Sequence, residues 1–261
     1  MVELVLDNVS RHFGGLQAVS GLNLEVPQGV ILSLIGPNGA GKTTVFNMVT
    51  GVYPPSEGTI SYRGKRLNRL RSNRIIAQGI ARTFQNIRLF KSMTVLENVQ
   101  VGMHCRTRSG ALRALLKSPF EKREEDEITE KSIQILDFLG LSVHINDYAS
   151  NLPYGDQRRL EIARALASDP KMMLLDEPAA GMNPKETTEL MALIRRLRDT
   201  GLTIFLVEHD MKLVMGISDI VVVLDHGQKI AEGVPKDIQR NERVIQAYLG
   251  SGSKALSKAR Q

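Results

Sequence analysis

The chain has 261 residues, long enough to bury one large α/β core with a smaller inserted lobe. Its composition, 42% hydrophobic and 24% charged, is that of a globular protein, and no run approaches the ~18 apolar residues of a transmembrane helix. The formal charge of +6 suits a protein that binds polyphosphate or works near anionic lipid headgroups, and a lone Cys105 excludes an internal disulfide.

Glu3 and Asp7 interrupt the first apolar stretch, unlike a secretory signal, so a soluble chain is expected, with any membrane role supplied by a partner. Val2–Val9 and Leu22–Val26 read as strands, the second alternating as Leu22, Leu24 and Val26. Between them His12-Phe13-Gly14-Gly15 is a turn that exposes an aromatic ring. Pro27-Gln28-Gly29 then turns into Val30–Ile35, a continuous apolar run of the kind found in buried parallel strands.

Directly after that strand stands Gly36-Pro37-Asn38-Gly39-Ala40-Gly41-Lys42-Thr43, which matches G-x-x-x-x-G-K-[ST] at every fixed position. A helix is expected over Thr44–Thr50, with Gly51 as its C-cap glycine. Strand, glycine-rich loop and helix in this order make backbone N–H groups converge on an anion at a positive helix terminus. Gly36, Gly39 and Gly41 keep side chains away from the phosphates of a nucleoside triphosphate. Lys42 supplies charge to the β/γ-phosphates, and the Thr43 hydroxyl is offered to Mg²⁺. Pro37, Asn38, Ala40 and Thr44 complete the expected contact surface.

Beyond the breaks at Pro54-Pro55 and Glu57-Gly58, the pattern predicts a strand at Thr59–Arg63, a helix near Arg71–Gln78 and a strand at Ile80–Phe84 that ends on Gln85. From there the character turns helical, with Thr94–Cys105 and a long charged segment Phe120–Leu139 separated by the basic loop Arg106–Ser118. Residues 85–160 are therefore read as an inserted helical lobe, and 1–84 with 161–250 as the core. The α/β pattern resumes with helix Asp156–Ser168, strand Met172–Asp176, helix Pro184–Thr200, strand Leu202–Glu208 and strand Ile220–Leu224. Asp225-His226-Gly227-Gln228 reads as a hairpin turn into Lys229–Glu232, and Ser251–Gln261 as a mobile basic tail.

Met172-Met173-Leu174-Leu175-Asp176-Glu177 is an apolar strand that ends in two carboxylates. Mg²⁺ beside a phosphate loop needs such an acid, so Asp176 is the expected metal residue, and Glu177 can take a proton from an attacking water. His209 follows the apolar strand Thr203–Val207, where by itself it reads as a structural histidine.

Together these residues resemble the ordered motif set of ABC transporter ATPase subunits: the phosphate loop, Gln85 after a strand, the turn Leu152-Pro153-Tyr154-Gly155-Asp156-Gln157 opening a helix, Asp176-Glu177, and His209. The resemblance spans Phe13 to His209. It implies an α/β P-loop NTPase fold, with a RecA-like parallel sheet core, an antiparallel N-terminal β subdomain and an inserted helical subdomain. It also implies two such subunits, identical or sisters, closing head-to-tail over two ATP molecules with Mg²⁺. By that resemblance Phe13 stacks on adenine, and Gln85 senses metal, water and the membrane partner. Glu177 activates water, His209 contacts the γ-phosphate, and Tyr154, Gly155 and Asp156 meet the partner's ATP in trans. There are two departures from the family pattern. The turn reads Leu152-Pro153-Tyr154-Gly155-Asp156 where Leu-Ser-Gly-Gly-Gln is usual, so the serine hydroxyl is missing and Pro153 has no N–H to donate. Asn183 stands where Asp is usual, and before Pro184 with Glu186 three residues on it forms a good N-cap pattern.

The stretches Leu152–Leu166, Glu177–Pro184, Glu208–Asp219 and Ala247-Tyr248-Leu249-Gly250 resemble one ATPase subunit of bacterial branched-chain amino acid importers. That implies integral membrane permease partners, an extracytoplasmic amino acid binding protein acting indirectly, no nucleic acid partner, and a place at the cytoplasmic face of the inner membrane. Nothing in a nucleotide site encodes leucine, isoleucine or valine, because the permease and binding protein choose the substrate. A soluble ABC ATPase without a permease, such as one for iron–sulfur cluster assembly, stays open on size. A GTP-binding switch would need an N-K-x-D-like segment, which the sequence lacks.

Overall fold

Residues 1–103 and 119–248 are described by the computed structural model; Cys105, the basic loop 106–118 and the tail 251–261 lie outside the described residues. Strands β1 (Val2–Phe13) and β2 (Leu16–Pro27) form a long antiparallel hairpin around Gly14. Both outrun the strands expected from sequence, because register shifts between Leu6 and Val9 and between Val9 and Arg11 break the period of two. Then come β3 (Ile31–Ile35), α1 (Lys42–Val49), β4 (Glu57–Tyr62) and β5 (Lys65–Arg66). β4 pairs with β1, giving an antiparallel sheet of order β2-β1-β4-β5.

Helix α2 (Ser72–Ala77) leads to β6 (Ile80–Arg82), which is shorter than the expected run to Phe84. The helical lobe follows: α3 (Val95–Met103), α4 (Pro119–Phe138), two 3₁₀ turns and α5 (Tyr154–Leu166). Position 160 falls inside α5, whose buried Leu160, Ile162 and Ala163 pack with lobe and sheet residues alike. Next are β7 (Met172–Asp176), α6 (Pro184–Asp199), β8 (Thr203–Val207), α7 (Met211–Ile217), β9 (Ile220–Asp225), β10 (Gln228–Gly233) and α8 (Pro235–Arg240). The second sheet runs β10-β9-β3-β8-β7-β6, parallel except for the β9–β10 hairpin. α7 and α8 escape the sequence reading because seven and six residues are too few to display a helical period.

The central strands are apolar throughout because both of their faces are covered. On β7, Met172 and Leu174 enter the core beneath the antiparallel sheet and α1, whereas Met173 and Leu175 face α5 and α6. On β8, Phe205 and Val207 take the first side and Ile204 and Leu206 the second. Phe205 packs on Phe46 of α1 with ring centroids 4.9 Å apart. Truncating a buried aromatic of this kind costs about 3–5 kcal/mol. This double burial holds the C-terminal ends of β3, β7 and β8 side by side, where the polar residues emerge.

Candidate nucleotide site

At the end of β3 the chain turns through Gly36–Gly41. A Cβ on Gly36 would stand 2.0 Å from the Leu224 carbonyl oxygen, and one on Gly41 would stand 2.5 Å from that of Ala18. Both positions therefore exclude any side chain, whatever they bind. α1 starts two residues earlier than expected, since Gly41 at φ 102° serves as its N-cap. No side chain caps this terminus and its first turn holds no acid, which leaves backbone donors and a positive dipole end for an anion. Lys42 is 8% exposed, and its Nζ donates to the carbonyls of Gly36 (2.7 Å) and Pro37 (2.9 Å). Burial lowers its pKa from 10.5, against the opposing pull of Glu177 and Asp176. Thr43 is exposed beside it. The glycine cradle, uncapped terminus and buried lysine fit a polyphosphate.

Asp176 and Glu177 stand at the C-terminal end of β7. Asp176 is 4% exposed, and its Oδ2 accepts from Arg82 Nη2 at 2.7 Å. The other guanidinium nitrogen of Arg82, Nη1, donates to Asn47 Oδ1 (2.7 Å) and Thr50 Oγ1 (3.0 Å) on the phosphate-loop helix and its cap. Glu177 is held at φ 46°, a left-handed conformation costly for a residue with a side chain, and its N–H donates to Val207. Gln85 Nε2 donates to Glu177 Oε2 at 2.7 Å, and His209 Nδ1 lies 3.7 Å from the same oxygen. Gln85, Glu177 and His209 thus converge from three separate segments. Thr43 and Asp176 are oxygen donors of the kind that would hold a Mg²⁺ ion, directly or through water. Among the described residues, no cluster of three His, Cys, Asp or Glu side chains forms a complete metal cage.

Four residues that sequence reasoning passed over hold this arrangement. Arg82 is one, and a cation inside the short apolar strand Ile80–Phe84 was its signal. Glu208, 1% exposed, accepts from the N–H groups of Ala179 (2.8 Å), His209 (3.0 Å) and Asp210 (3.4 Å), binding the loop after Glu177 to the turn that carries His209. Burial raises its pKa, with these backbone donors opposing. The fully buried Arg158 of α5 donates to the carbonyls of Phe84 (2.7 Å) and Gln85 (2.8 Å) and to Glu161 (2.7 Å). Glu161 in turn accepts from the N–H groups of Phe84 and Arg88. Two charged residues three apart on the inner face of α5 gave notice of such an ion pair.

The turn at the start of α5 faces the loop after Glu177 in its own chain. The Tyr154 hydroxyl donates to the Ala180 carbonyl at 2.8 Å, and its ring lies against Gly181. Gly155 is buried beside Glu186, and Asp156 lies 3.6 Å from Arg159, a cation that offsets its charge, and 4.0 Å from the His144 ring. Asn183 forms the expected capping box with Glu186. Phe13 is 41% exposed, packs edge-on to Tyr53 at 5.3 Å and lies under the Arg11 guanidinium.

The family model described as ABC transporter matches residues 19–180, and that described as branched-chain amino acid ATP-binding cassette transporter matches residues 228–254. The high-affinity branched-chain amino acid transport ATP-binding protein LivG of Escherichia coli (strain K12) is 51% identical over 248 residues, which cover 95% of this chain and 97% of the relative. An ATP-binding cassette of an ABC transporter, solved in its ADP conformation, aligns with a TM-score of 0.84 and 33% identity over 96% of this chain and 99% of its own. A dimeric cassette in a post-hydrolysis state, bound to ADP and Pi, aligns with a TM-score of 0.74 and 26% identity over 89% and 98%.

Proposed function

Because the chain belongs to the ATP-binding subunits of ABC transporters, we propose that it binds and hydrolyses ATP to power a branched-chain amino acid importer. The observation that carries this reading is the 51% identity along nearly the whole length of a relative named for that transport.

Bound ATP with Mg²⁺ supplies the γ-phosphoryl bond to be cleaved. Gly36, Pro37, Asn38, Gly39, Ala40, Gly41 and Thr44 surround the phosphates, and Lys42 exchanges its carbonyl partners for phosphate oxygens. Thr43, Asp176 and Gln85 hold the metal or its waters. With Glu177 Oε2 engaged by Gln85, Oε1 is left to take the proton of the attacking water. His209, beside that carboxylate, contacts the γ-phosphate, and Phe13 offers its exposed ring to adenine. In a head-to-tail dimer with an identical or sister subunit, Gly155 and the positive end of α5 cover the partner's ATP, with Tyr154 and Asp156 beside them. The dimeric relative bound to ADP and Pi supports that pairing.

A cavity of about 510 Å³ separates Ile76 and Arg82 on the core from Leu89, Phe90 and Arg164 on the lobe side. Its position next to the Gln85 loop supports docking of a short permease helix there. No described helix is long and apolar enough to cross a membrane, so attachment at the cytoplasmic face is assigned to the permease. An extracytoplasmic amino acid binding protein acts only through that permease. Expression together with a candidate permease pair, solubilisation and reconstitution with a binding protein test the reading. ATP-dependent uptake of leucine, isoleucine or valine is expected. ATP hydrolysis by a chain that never co-purifies with membrane subunits would instead favour a soluble ABC ATPase.

A further inference from the structure

Segment 63–74 holds six bases (Arg63, Lys65, Arg66, Arg69, Arg71 and Arg74) and no acid, so it alone matches the formal +6 of the whole chain. The fold leaves most of this charge in the open. Arg66 sits on β5, the edge of the antiparallel sheet, Arg69 and Arg71 on the connection that follows, and Arg74 on α2. All four are exposed, and none makes an ion pair among the described residues. Arg63, by contrast, is paired with Glu3, and Lys65 donates to Gln78. Charge on an edge strand discourages sheet-to-sheet pairing, which accounts for Lys65 and Arg66. It does not account for Arg69, Arg71 and Arg74, which lie off the strand.

Two observations indicate what this surface faces. Ile76, two residues after Arg74 on α2, lines the cavity assigned above to the permease helix, so the patch borders the membrane-directed side. None of the four arginines lines that cavity, and segment 63–74 contains no aromatic residue. A cationic surface whose own segment offers no stacking ring responds to charge density, which an anionic bilayer presents, rather than to a nucleic acid base.

We propose that Arg66, Arg69, Arg71 and Arg74 form a docking surface for anionic phospholipid headgroups beside the permease groove. The orientation rests on the permease reading; the lipid contact itself does not. The test is flotation of the purified full chain with phosphatidylglycerol-containing vesicles against pure phosphatidylcholine vesicles, at low and at raised salt. Binding is expected only to the anionic vesicles and only at low salt. Replacing the four arginines by glutamine should lower binding about tenfold or more. An equal loss of charge elsewhere (Lys131, Lys236, Arg240 and Arg243 to glutamine) should leave most of it. Retained ATP hydrolysis by both variants shows that they are folded. Equal losses in the two variants, or unchanged vesicle binding in the first, would overturn the proposal. So would patch-dependent binding of a single-stranded oligonucleotide without vesicle binding. Permease co-purification is scored separately, so failure of the importer reading and failure of lipid docking remain distinguishable.

Discussion

Arg82 reaches the Asp176 carboxylate at 2.7 Å, and with the same guanidinium it holds Asn47 and Thr50 of the α1 segment. One buried cation on β6 thereby ties the acid at the end of β7 to the phosphate-loop helix. Arg82→Met would strand a carboxylate that is almost wholly buried, at a cost of about 3–5 kcal/mol in unfolding free energy. Denaturant unfolding measures this directly. Arg82→Lys should recover only part, because an ammonium group cannot span the planar fork of acceptors.

Glu177→Gln is expected to keep ATP binding, favour the closed dimer and lower turnover about 10²–10⁴-fold. Nucleotide binding and steady-state hydrolysis, measured on the same preparation, separate the two effects. Hydrolysis near the wild-type rate would remove Glu177 from the role of base.

Lys42→Ala removes the buried ammonium that faces both carboxylates and caps the loop carbonyls. Loss of nucleotide affinity should dominate its phenotype, read by equilibrium binding of a fluorescent ATP analogue. Unchanged affinity would place the lysine in a structural role only.

Tyr154→Phe retains the ring against Gly181 and deletes the hydroxyl bond to Ala180. A loss of about 0.5–1.5 kcal/mol in stability is expected. If the link between this turn and the loop after Glu177 matters for turnover, kcat falls while the KM for ATP stays near its original value. A rise in KM alone would instead mark Tyr154 as a contact to the partner's nucleotide.

Glu208 yields a pH prediction. Its folded-state pKa is raised above the ordinary 4.5, chiefly by burial, so the folded chain holds that proton more tightly than the unfolded chain does. The resulting stability is fully present below 4.5 and is lost as pH rises through the folded value. Compared with Glu208→Gln, which lacks this titration, the wild type should lose relative stability as pH is raised above 4.5. The amide must turn one N–H toward the donors of Ala179 or His209, which adds a deficit of about 1–3 kcal/mol. Thermal unfolding across that range checks both the slope and the offset.

Much of the architecture is visible in the chain itself because its signals are local. The loop Gly36–Thr43 is one contiguous segment, and Met172–Glu177 displays its burial and its acids in six consecutive residues. Continuous apolar runs mark the central strands because both faces of the parallel sheet are covered. The Asn183 cap and the 225–228 hairpin are short-range features, and the structure contains both. Where periodicity breaks, as at the bulges of β1 and β2 or in the short α7 and α8, the same reading falls short.

What the tertiary structure alone decides is which distant side chains meet. Arg82 and Asp176 are 94 positions apart, Gln85 and Glu177 92, and Arg158 reaches the Gln85 carbonyl from 73 away. Sequence spacing cannot encode such meetings, because they depend on neighbouring strands ending at one level and on α5 packing across the lobe and the sheet. Arg66, Arg69, Arg71 and Arg74 are a case on the surface. Their charge is legible as composition, but only the fold shows that it makes no ion pair among the described residues and lies near the cavity lined by Ile76.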